Sequence, residues 1–331
     1  MRAPKFWYNP KYSFSSLLLT PISWIYGLVR KKIQRDRAPW KAPIPVICVG
    51  NLLAGGQGKT PIALSIGKVL KLNNKSVHFI SRGYGGSLRG PLLVDPTVNT
   101  ASEVGDEPIL LSEIAPTWIC VDRIAGIKSA YEMGAKIVVM DDGFQNPSVK
   151  KDFSILVFDA DVGFGNGRLI PAGPLRESIT DGLSRANAAV IIGDDFLGLE
   201  SRLLNISNSL PQKQIKVYKA KIAPTTNFQS INKQKVFAFT GIGRPEKFLN
   251  TLIEMNCDIT GKQYFSDHHQ FTETEISQLL NLAKTKDSTL ITTTKDYVRL
   301  TPSQKKDIMV LPITLEWNNK NALNNILKNF I

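Results

Sequence analysis

Short apolar runs and stretches of helical periodicity alternate along most of the chain. The apolar runs are rich in Val and Ile and predict strands at 45–50, 76–81, 117–122, 135–141, 153–159, 187–193 and 215–220. Helical periodicity between them predicts helices at 59–72, 105–115 and 123–134. Continuous apolar runs are typical of strands buried on both faces, and their alternation with helices indicates a parallel α/β sheet.

A second, shorter α/β unit is predicted after the polar segment 223–234, which has the composition of a linker. Its predicted elements are strand 235–240, helix 245–256, strand 259–265, helix 272–285, strands 288–294 and 308–315, and helix 320–330. We therefore predict an N-terminal arm at 1–40, a main domain at 41–222, and a smaller domain at 223–331 that contributes to the active-site cleft.

The arm contains an uncharged segment, residues 12–29, with a helical pattern of its own. Its polar positions recur at intervals of 4, 3, 4 and 3 residues and share one helical face: Ser16, Thr20, Ser23, Gly27 and Arg30. The other side is apolar and carries Phe14, Leu17, Leu18, Ile22, Ile25 and Leu28. This pattern predicts an amphipathic helix that lies in a membrane interface.

Three other interpretations of this helix compete. A cleaved signal peptide needs small residues after the apolar run, but Arg30 and two lysines follow here. A transmembrane helix needs ~20 strongly apolar residues, and this run is interrupted by Pro21, Gly27 and several hydroxyl side chains. A helix that packs on the core of its own protein stays open as an alternative.

The charge of the chain narrows the class of partner. The 331 residues carry a formal net charge of +13, from 41 basic and 28 acidic side chains. Such a surplus favours phosphate-bearing partners. Nine of the basic residues lie within residues 1–41, beside the apolar helix. This placement favours an anionic membrane surface, and we expect no nucleic-acid partner because no aromatic-studded basic sheet is evident.

Three cysteines, Cys48, Cys120 and Cys257, lie far apart in apolar stretches. Their spacing fits neither a metal site nor a disulfide framework, which is typical of a reducing compartment.

A glycine-rich turn follows the first predicted strand. Residues 45–60, PVICVGNLLAGGQGKT, run from an apolar strand into a helical pattern. This is the context of a P-loop, whose glycines let backbone N–H groups converge on phosphate oxygens; here they are Gly55, Gly56 and Gly58. We expect Lys59 to reach the β- and γ-phosphates of ATP, and the Thr60 hydroxyl to hold Mg²⁺. Leu53 replaces the first glycine of the usual pattern.

Acidic side chains accompany the P-loop. Asp141 and Asp142 end a buried strand, at the sheet edge where ligands of parallel sheets collect. Asp106 and Glu107 open a predicted helix. Spacing alone does not decide whether this second pair caps the helix or serves as general base and metal partner.

Histidines and arginines near strand ends are further candidates. Asp267-His268-His269 holds two of the three histidines, without the additional Asp and His clusters of a two-metal phosphoesterase. Arg123 follows a strand, and arginines there suit phosphate clamps as well as surface ion pairs. The loop 163–177 is rich in Gly and Pro and is a candidate binding loop.

Taken together, these stretches resemble the bacterial lipid A 4'-kinase (tetraacyldisaccharide 4'-kinase) family. The matching motifs run in family order from about residue 46 to residue 300: VGNLLAGGQGKTP, ISRGYGG, VGDEP, VDR, DDGFQ, GNGRLIPAGPLRE, FTGIGRPEKF, YFSDHHQFT and TTTKDYVRL. The resemblance implies transfer of the γ-phosphate of ATP to the 4' hydroxyl of a tetraacylated glucosamine disaccharide 1-phosphate, a lipid A precursor, at the cytoplasmic face of the inner membrane.

The resemblance also implies roles for particular residues. Asp106 would be the catalytic base, paired with His268. Lys59 and Thr60 would contact ATP and Mg²⁺. The metal and the active-site network would involve Glu107, Asp141 and Asp142, and the surroundings of nucleotide and acceptor would include Gln145, Tyr84, Arg123, Arg176 and Glu177.

The predicted fold is therefore a P-loop NTPase-like parallel sheet domain with a second, smaller α/β domain and an N-terminal amphipathic membrane helix. The alternative function is a membrane-associated P-loop ATPase or switch that phosphorylates no small-molecule acceptor. A GTPase is disfavoured because no N-K-x-D motif is present.

Overall fold

The computed structural model describes residues 3–8, 13–211, 214–225, 231 and 233–331. Within them, the larger of two sheets has nine strands. These are β1 (Val46–Gly50), β2 (Val77–Ser81), β3 (Leu92–Leu93), β4 (Thr117–Ile119), β5 (Ile137–Asp141), β6 (Phe153–Asp159), β7 (Ala188–Ile192), β8 (Lys216–Pro224) and, from the end of the chain, a strand at Ile313–Trp317.

The smaller sheet has four strands, all parallel. They are β9 (Lys235–Thr240), β10 (Asp258–Tyr264), β11 (Thr289–Thr293) and β12 (Met309–Leu311), so the strand at Ile313–Trp317 is β13. The order of strands in the smaller sheet is β10-β9-β11-β12. The larger sheet has the order β13-β8-β7-β6-β1-β5-β2-β4-β3, and only its outermost pairs, β13 with β8 and β3 with β4, are antiparallel among the described strands.

Helices cover both sheets. They are α1 (Phe14–Arg35), α2 (Lys59–Leu72), α3 (Ala101–Val104), α4 (Asp106–Ser112), α5 (Arg123–Glu132), α6 (Ile179–Arg185), α7 (Leu199–Asn208), α8 (Pro245–Glu254), α9 (Glu273–Thr285), α10 (Thr294–Tyr297) and α11 (Ala322–Leu327). Short 3-10 helices lie at Lys5–Tyr8 and Gln304–Asp307.

The central strands of the larger sheet are buried on both faces, as their unbroken apolar sequence predicts. In β1, Ile47 and Val49 pack in one core with Ile62 of α2, while Val46 and Cys48 pack in the other core. Side chains alternate between the faces of a strand, so a five-residue apolar run serves both cores. The strand ends that carry the site motifs are therefore fixed by packing on two sides.

The strands and helices of the main domain agree with the sequence predictions to within a few residues, and four elements were missed: β3, α3, α6 and α7. The run predicted as one strand at 308–315 is two, β12 and β13, in different sheets. Of the predicted linker 223–234, Pro224 still belongs to β8, and residues 226–230 and 232 lie outside the described residues.

The predicted division at residue 223 needs a correction for the C-terminal segment. Strand β13 pairs antiparallel with β8, with Ile313 opposite Pro224 and Trp317 opposite Ala220. Leu323 and Ile326 of α11 lie in the same core as α2. The last residues therefore complete the larger sheet, because the apolar face of α11 is buried against it.

Helix α1 turns its polar stripe toward the protein and its apolar side outward. Ser16 Oγ donates to the carbonyl oxygen of Ala172 over 2.7 Å, and Ser23 Oγ donates to that of Leu169 over 2.8 Å. The apolar side chains of the other face are between 51% and 82% exposed: Phe14, Leu17, Leu18, Ile22, Trp24, Ile25, Leu28 and Val29. The predicted helix is confirmed, and it packs on its own protein through polar residues, which leaves the apolar face uncovered.

Across the part of the chain that the structure describes, no helix is both long enough and apolar enough to cross a membrane.

Candidate active site

The P-loop joins the carboxyl end of β1 to the first turn of α2. Gly58 adopts a left-handed conformation with φ 81°, and a Cβ added there would lie 2.5 Å from Ile192 Cδ1. Gly55 is also left-handed, with φ 106°. Both positions favour glycine. The turn leads directly into Lys59 at the N-terminus of α2, where free backbone N–H groups and the helix dipole favour an anion.

Lys59 and Thr60 lie beside the end of the neighbouring strand β5. Thr60 Oγ1 donates to Asp141 Oδ2 over 3.3 Å. The other carboxylate oxygen, Asp141 Oδ1, is buried and has no hydrogen-bond partner among the described residues. Parallel pairing of β1 with β5, with Val49 opposite Asp141, brings the two motifs together.

The ionised form of the Asp141 carboxyl group is unfavourable in this structure. Burial, followed by the negative charge of Glu107, raises its pKa to about 7 against the opposing effect of Lys59. An orphaned carboxylate oxygen next to a threonine hydroxyl fits a divalent cation, since hard cations prefer oxygen ligands. The described residues contain no group of three or more His, Cys, Asp or Glu side chains able to hold a metal.

Asp142 has different partners. Its carboxylate lies 3.7 Å from Lys59 Nζ and 3.2 Å from Arg176 Nη1. Arg176 Nη1 also donates to Gln145 Oε1 over 3.2 Å, and Gln145 Nε2 donates to Glu177 Oε1 over 3.1 Å. The sequence-predicted residues Asp142, Gln145, Arg176 and Glu177 thus form one chain of polar contacts beside the P-loop lysine.

Gly105 separates α3 from α4 and presents Asp106 at the start of α4. Its φ is 90°, and a Cβ there would lie 2.5 Å from the carbonyl oxygen of Tyr84, so the loop after β2 packs directly against this turn. Asp106 is buried, and its Oδ2 lies 2.8 Å from His268 Nδ1. The two residues are brought together from different sheets.

A third residue completes this contact. Arg299 Nη2 donates to the same oxygen, Asp106 Oδ2, over 2.5 Å. Burial would raise the pKa of Asp106, but the hydrogen bonds from His268 and Arg299 outweigh it and lower that pKa to about 2. The hydrogen bond to Asp106 raises the pKa of His268. Tyr84 is exposed and its ring lies edge-on to His268, with centroids 5.6 Å apart.

Glu107, the next residue, also pairs across the two sheets. Lys295 Nζ lies 2.7 Å from Glu107 Oε1, and the charge of Lys295 is the main cause that lowers the pKa of Glu107 to about 2. Lys59 contributes to the same effect. The carboxylates of α4 and the P-loop lysine therefore share one electrostatic environment.

The sequence predictions missed Lys295 and Arg299, although both lie in the quoted motif TTTKDYVRL. A usable signal was present, since Lys295 directly follows a predicted parallel strand, at the sheet edge where ligands collect. Arg123 is not brought into the contacts above. Its guanidinium is buried and donates to the carbonyl oxygen of Cys120, without a hydrogen bond or ion pair to any other site residue that the structure describes.

The fold and the site define a P-loop NTPase-like α/β protein with an accessory parallel sheet. A crystal structure of LpxK from Aquifex aeolicus, described as in complex with ATP, superposes with a TM-score of 0.75 at 24% identity and covers 95% of this chain and 98% of that one. At this identity the likeness shows the shared fold.

The family is established by sequence. Residues 15–331 match the family model of LpxK, tetraacyldisaccharide-1-P 4'-kinase, and the chain belongs to this family. The tetraacyldisaccharide 4'-kinase of Rhodospirillum centenum is 44% identical over 331 residues, with 99% of this chain and 96% of that one covered. That of Parvibaculum lavamentivorans is 46% identical over 304 residues, with 91% and 87% covered. The resemblance found in the motifs is confirmed.

Proposed function

We propose that this protein transfers the γ-phosphate of ATP to the 4' hydroxyl of a tetraacylated glucosamine disaccharide 1-phosphate. The observation that carries the proposal is the Asp106–His268 contact of 2.8 Å, which lies in the same structure as a P-loop that leads into Lys59 of α2. A nucleotide site alone needs no buried Asp–His pair. A phosphotransferase to an alcohol does need a carboxylate that accepts the hydroxyl proton.

In this proposal the larger sheet holds the nucleotide. Backbone N–H groups at Gly55, Gly56 and Gly58 cradle the phosphates, and Lys59 binds the β- and γ-phosphate oxygens. Thr60 and Asp141 would hold Mg²⁺, and the charge of Glu107 acts on Asp141. When bound, Mg²⁺ neutralises charge that develops on the phosphate oxygens. The carboxylate of Asp142 pairs with the side chains of Lys59 and Arg176, which flank it, and in this proposal it does not bind the metal.

The acceptor hydroxyl approaches Asp106. His268 and Arg299 both bind Oδ2, and no hydrogen bond from the described residues reaches Oδ1. Oδ1 is therefore the oxygen that takes the proton, while His268 orients the carboxylate. Tyr84 flanks His268 and lines the acceptor side. Arg176, Gln145 and Glu177 position the P-loop side of the site.

In this proposal the N-terminal helix holds the protein at a lipid surface. The exposed apolar face of α1 suits the interface of a bilayer, and the basic residues at its end, among them Arg30, Lys31 and Lys32, suit anionic headgroups. An acceptor with four acyl chains resides in such a surface. We place the protein at the cytoplasmic face of the bacterial inner membrane, as a peripheral protein.

The direct test is an assay with labelled ATP and a tetraacylated disaccharide 1-phosphate, with and without detergent. Transfer of label to the lipid, dependent on Mg²⁺, supports the proposal. Release of inorganic phosphate at an equal rate with and without the lipid, with no labelled lipid, identifies the alternative, a membrane-associated ATPase or switch.

The membrane assignment is tested by changes confined to the exposed face of α1. The triple variant Leu18→Gln, Ile25→Gln, Leu28→Gln keeps the serines that dock the helix and should bind anionic vesicles much more weakly than wild type. The matched control is Leu282→Gln, an equally apolar, exposed position on α9. Equal vesicle binding by the triple variant and wild type contradicts a membrane role for α1. High salt should weaken the electrostatic part of binding.

A further inference from the structure

Arg299 is a buried cation without an assigned role. Its side chain is 0% exposed, and it bridges two carboxylates of different sheets. Nη2 donates to Asp106 Oδ2 over 2.5 Å, and Nη1 donates to Asp296 Oδ1 over 2.9 Å. Nη1 also donates to the carbonyl oxygen of Gly241 over 3.1 Å. A buried guanidinium is costly unless its charge is paired, and here Nη1 and Nη2 carry the pairing while Nε has no hydrogen-bond partner among the described residues.

The anchor of Arg299 is itself fixed in place. Asp296 is fully buried and accepts hydrogen bonds from Thr240 Oγ1 and Thr293 Oγ1, each over 2.6 Å, and from the backbone N–H of Gly241 over 2.9 Å. These donors come from the ends of the adjacent strands β9 and β11. Through Asp296, the carboxyl edge of the smaller sheet thus holds the Arg299 guanidinium in one orientation, independently of its contact with Asp106.

Both partners of Asp106 bind one oxygen. His268 and Arg299 donate to Oδ2, which fixes the rotation of the carboxylate about its Cβ–Cγ bond. Two donors from separate loops constrain that rotation more than one donor does. With Oδ2 occupied, Oδ1 is the oxygen left for a further hydrogen bond. Positioning of this kind matters because small misplacements of a reacting group are costly.

We propose that Arg299 is a positioning residue for phosphoryl transfer, which holds Asp106 so that Oδ1 faces the acceptor hydroxyl. Arg299 acts through Asp106 and touches neither substrate. The role rests on the proposed function of Asp106 as the base. It also makes the position of the Asp106 carboxylate dependent on docking of the smaller sheet, because Asp296 lies in α10, directly after β11, and Arg299 follows α10.

The test is a double-mutant cycle with steady-state kinetics on ATP and the lipid acceptor. Arg299→Gln should lower kcat about 10–100-fold and change the KM for ATP less than about 3-fold. Arg299→Lys retains the positive charge but cannot donate to both carboxylates from a planar guanidinium, and it should recover part of that loss. In an Asp106→Ala background, Arg299→Gln should lower the residual rate less than about 2-fold, because residues that act as one unit are not additive.

The matched control is Arg244→Gln, the other arginine in the segment from residue 223 to residue 331. Arg244 also bridges the two sheets, at Asp159 and Asp161, away from Asp106. Its effect on kcat, whatever its size, should multiply with that of Asp106→Ala. If the losses from Arg299→Gln and Asp106→Ala multiply in the same way, Arg299 is structural and the proposal fails.

The same measurements separate this inference from the function on which it rests. Wild-type protein that transfers no phosphate to the lipid overturns both. Active wild-type protein with a folded Arg299→Gln variant of unchanged kcat overturns the role of Arg299 alone. Thermal unfolding checks folding. If Arg299→Gln does not fold, Arg299→Lys takes its place in the same double-mutant cycle. Arg299→Lys should then lower kcat in the wild-type background and leave the residual rate of Asp106→Ala unchanged. A loss of equal size in both backgrounds overturns the proposal.

Discussion

The two halves of the site are built in different ways. The proposed nucleotide half, with Lys59, Thr60 and Asp141, comes from two adjacent strands of one sheet, β1 and β5, and from α2, the helix that follows β1. The acceptor half joins Asp106, on the larger sheet, to His268 and Arg299, which are 162 and 193 residues away along the chain. One half is held by a single sheet, and the other exists only where segments of the two sheets meet.

The difference separates binding from chemistry. A P-loop at the end of a buried strand keeps its shape whatever the smaller sheet does, because backbone packing defines it. Asp106 obtains both of its hydrogen-bond partners from the smaller sheet. We expect changes in the nucleotide half to affect ATP binding and turnover together. Changes in the acceptor half should lower turnover and leave ATP binding nearly intact.

The largest effect is expected in the nucleotide half. Lys59→Ala should remove nearly all kinase activity, about 10³-fold or more, since it removes the P-loop cation expected at the γ-phosphate. Circular dichroism should show a folded protein. Lys68→Ala, an exposed lysine on the same helix, is the control and should retain wild-type activity. A Lys59→Ala variant with near-normal turnover would falsify the P-loop assignment.

The next effect tests the acceptor half. Asp106→Ala and His268→Ala should each lower kcat by roughly 10²–10³-fold, within the range of a general base, with little change in the KM for ATP. The double variant should be hardly worse than the poorer single variant. His269→Ala is the control, because His269 contacts Glu275 instead, over 3.0 Å. Losses that simply multiply mean that Asp106 and His268 act independently.

In the nucleotide half, the dependence of thermal stability on pH tests the environment of Asp141. Burial raises the pKa of Asp141 to about 7, above its unfolded value of 3.8, so this group stabilises the fold at low pH and loses that contribution as pH rises through about 7. Asp141→Asn should therefore raise the Tm of ligand-free protein at pH 8 by a few degrees, and the gain should shrink toward pH 5. A lower Tm at pH 8 contradicts this account.

The acceptor side should show the smaller pH effect. The pKa of His268 is raised above 6.5, mainly by the hydrogen bond to Asp106. The stability from this pair is then fully present below about pH 6.5 and is lost as pH rises through the folded pKa. The difference in Tm between wild type and His268→Asn should be larger at pH 6 than at pH 9. A difference that grows with pH indicates that His268 is neutral in the pair.

The hydrophobic pattern predicted most of the larger sheet, because strands buried on both faces are continuously apolar and their boundaries coincide with turn residues. It failed at residues 308–315, where one apolar run is two strands separated by Pro312. Local sequence does not specify which sheet a strand joins. The same pattern located the polar stripe of α1 and an apolar face that the protein leaves uncovered, but not the backbone carbonyl groups of Ala172 and Leu169 that bind the stripe.

By itself the sequence determined the P-loop, the acidic strand end at Asp141 and the family, since each is a contiguous motif whose geometry follows from local backbone rules. The tertiary structure decided the partners. It placed Asp142 with Lys59 and Arg176, gave Glu107 to Lys295, and set Arg299 beside His268 on one oxygen of Asp106. Ion pairs between distant segments depend on how two cores dock, and no local pattern of residues encodes that docking.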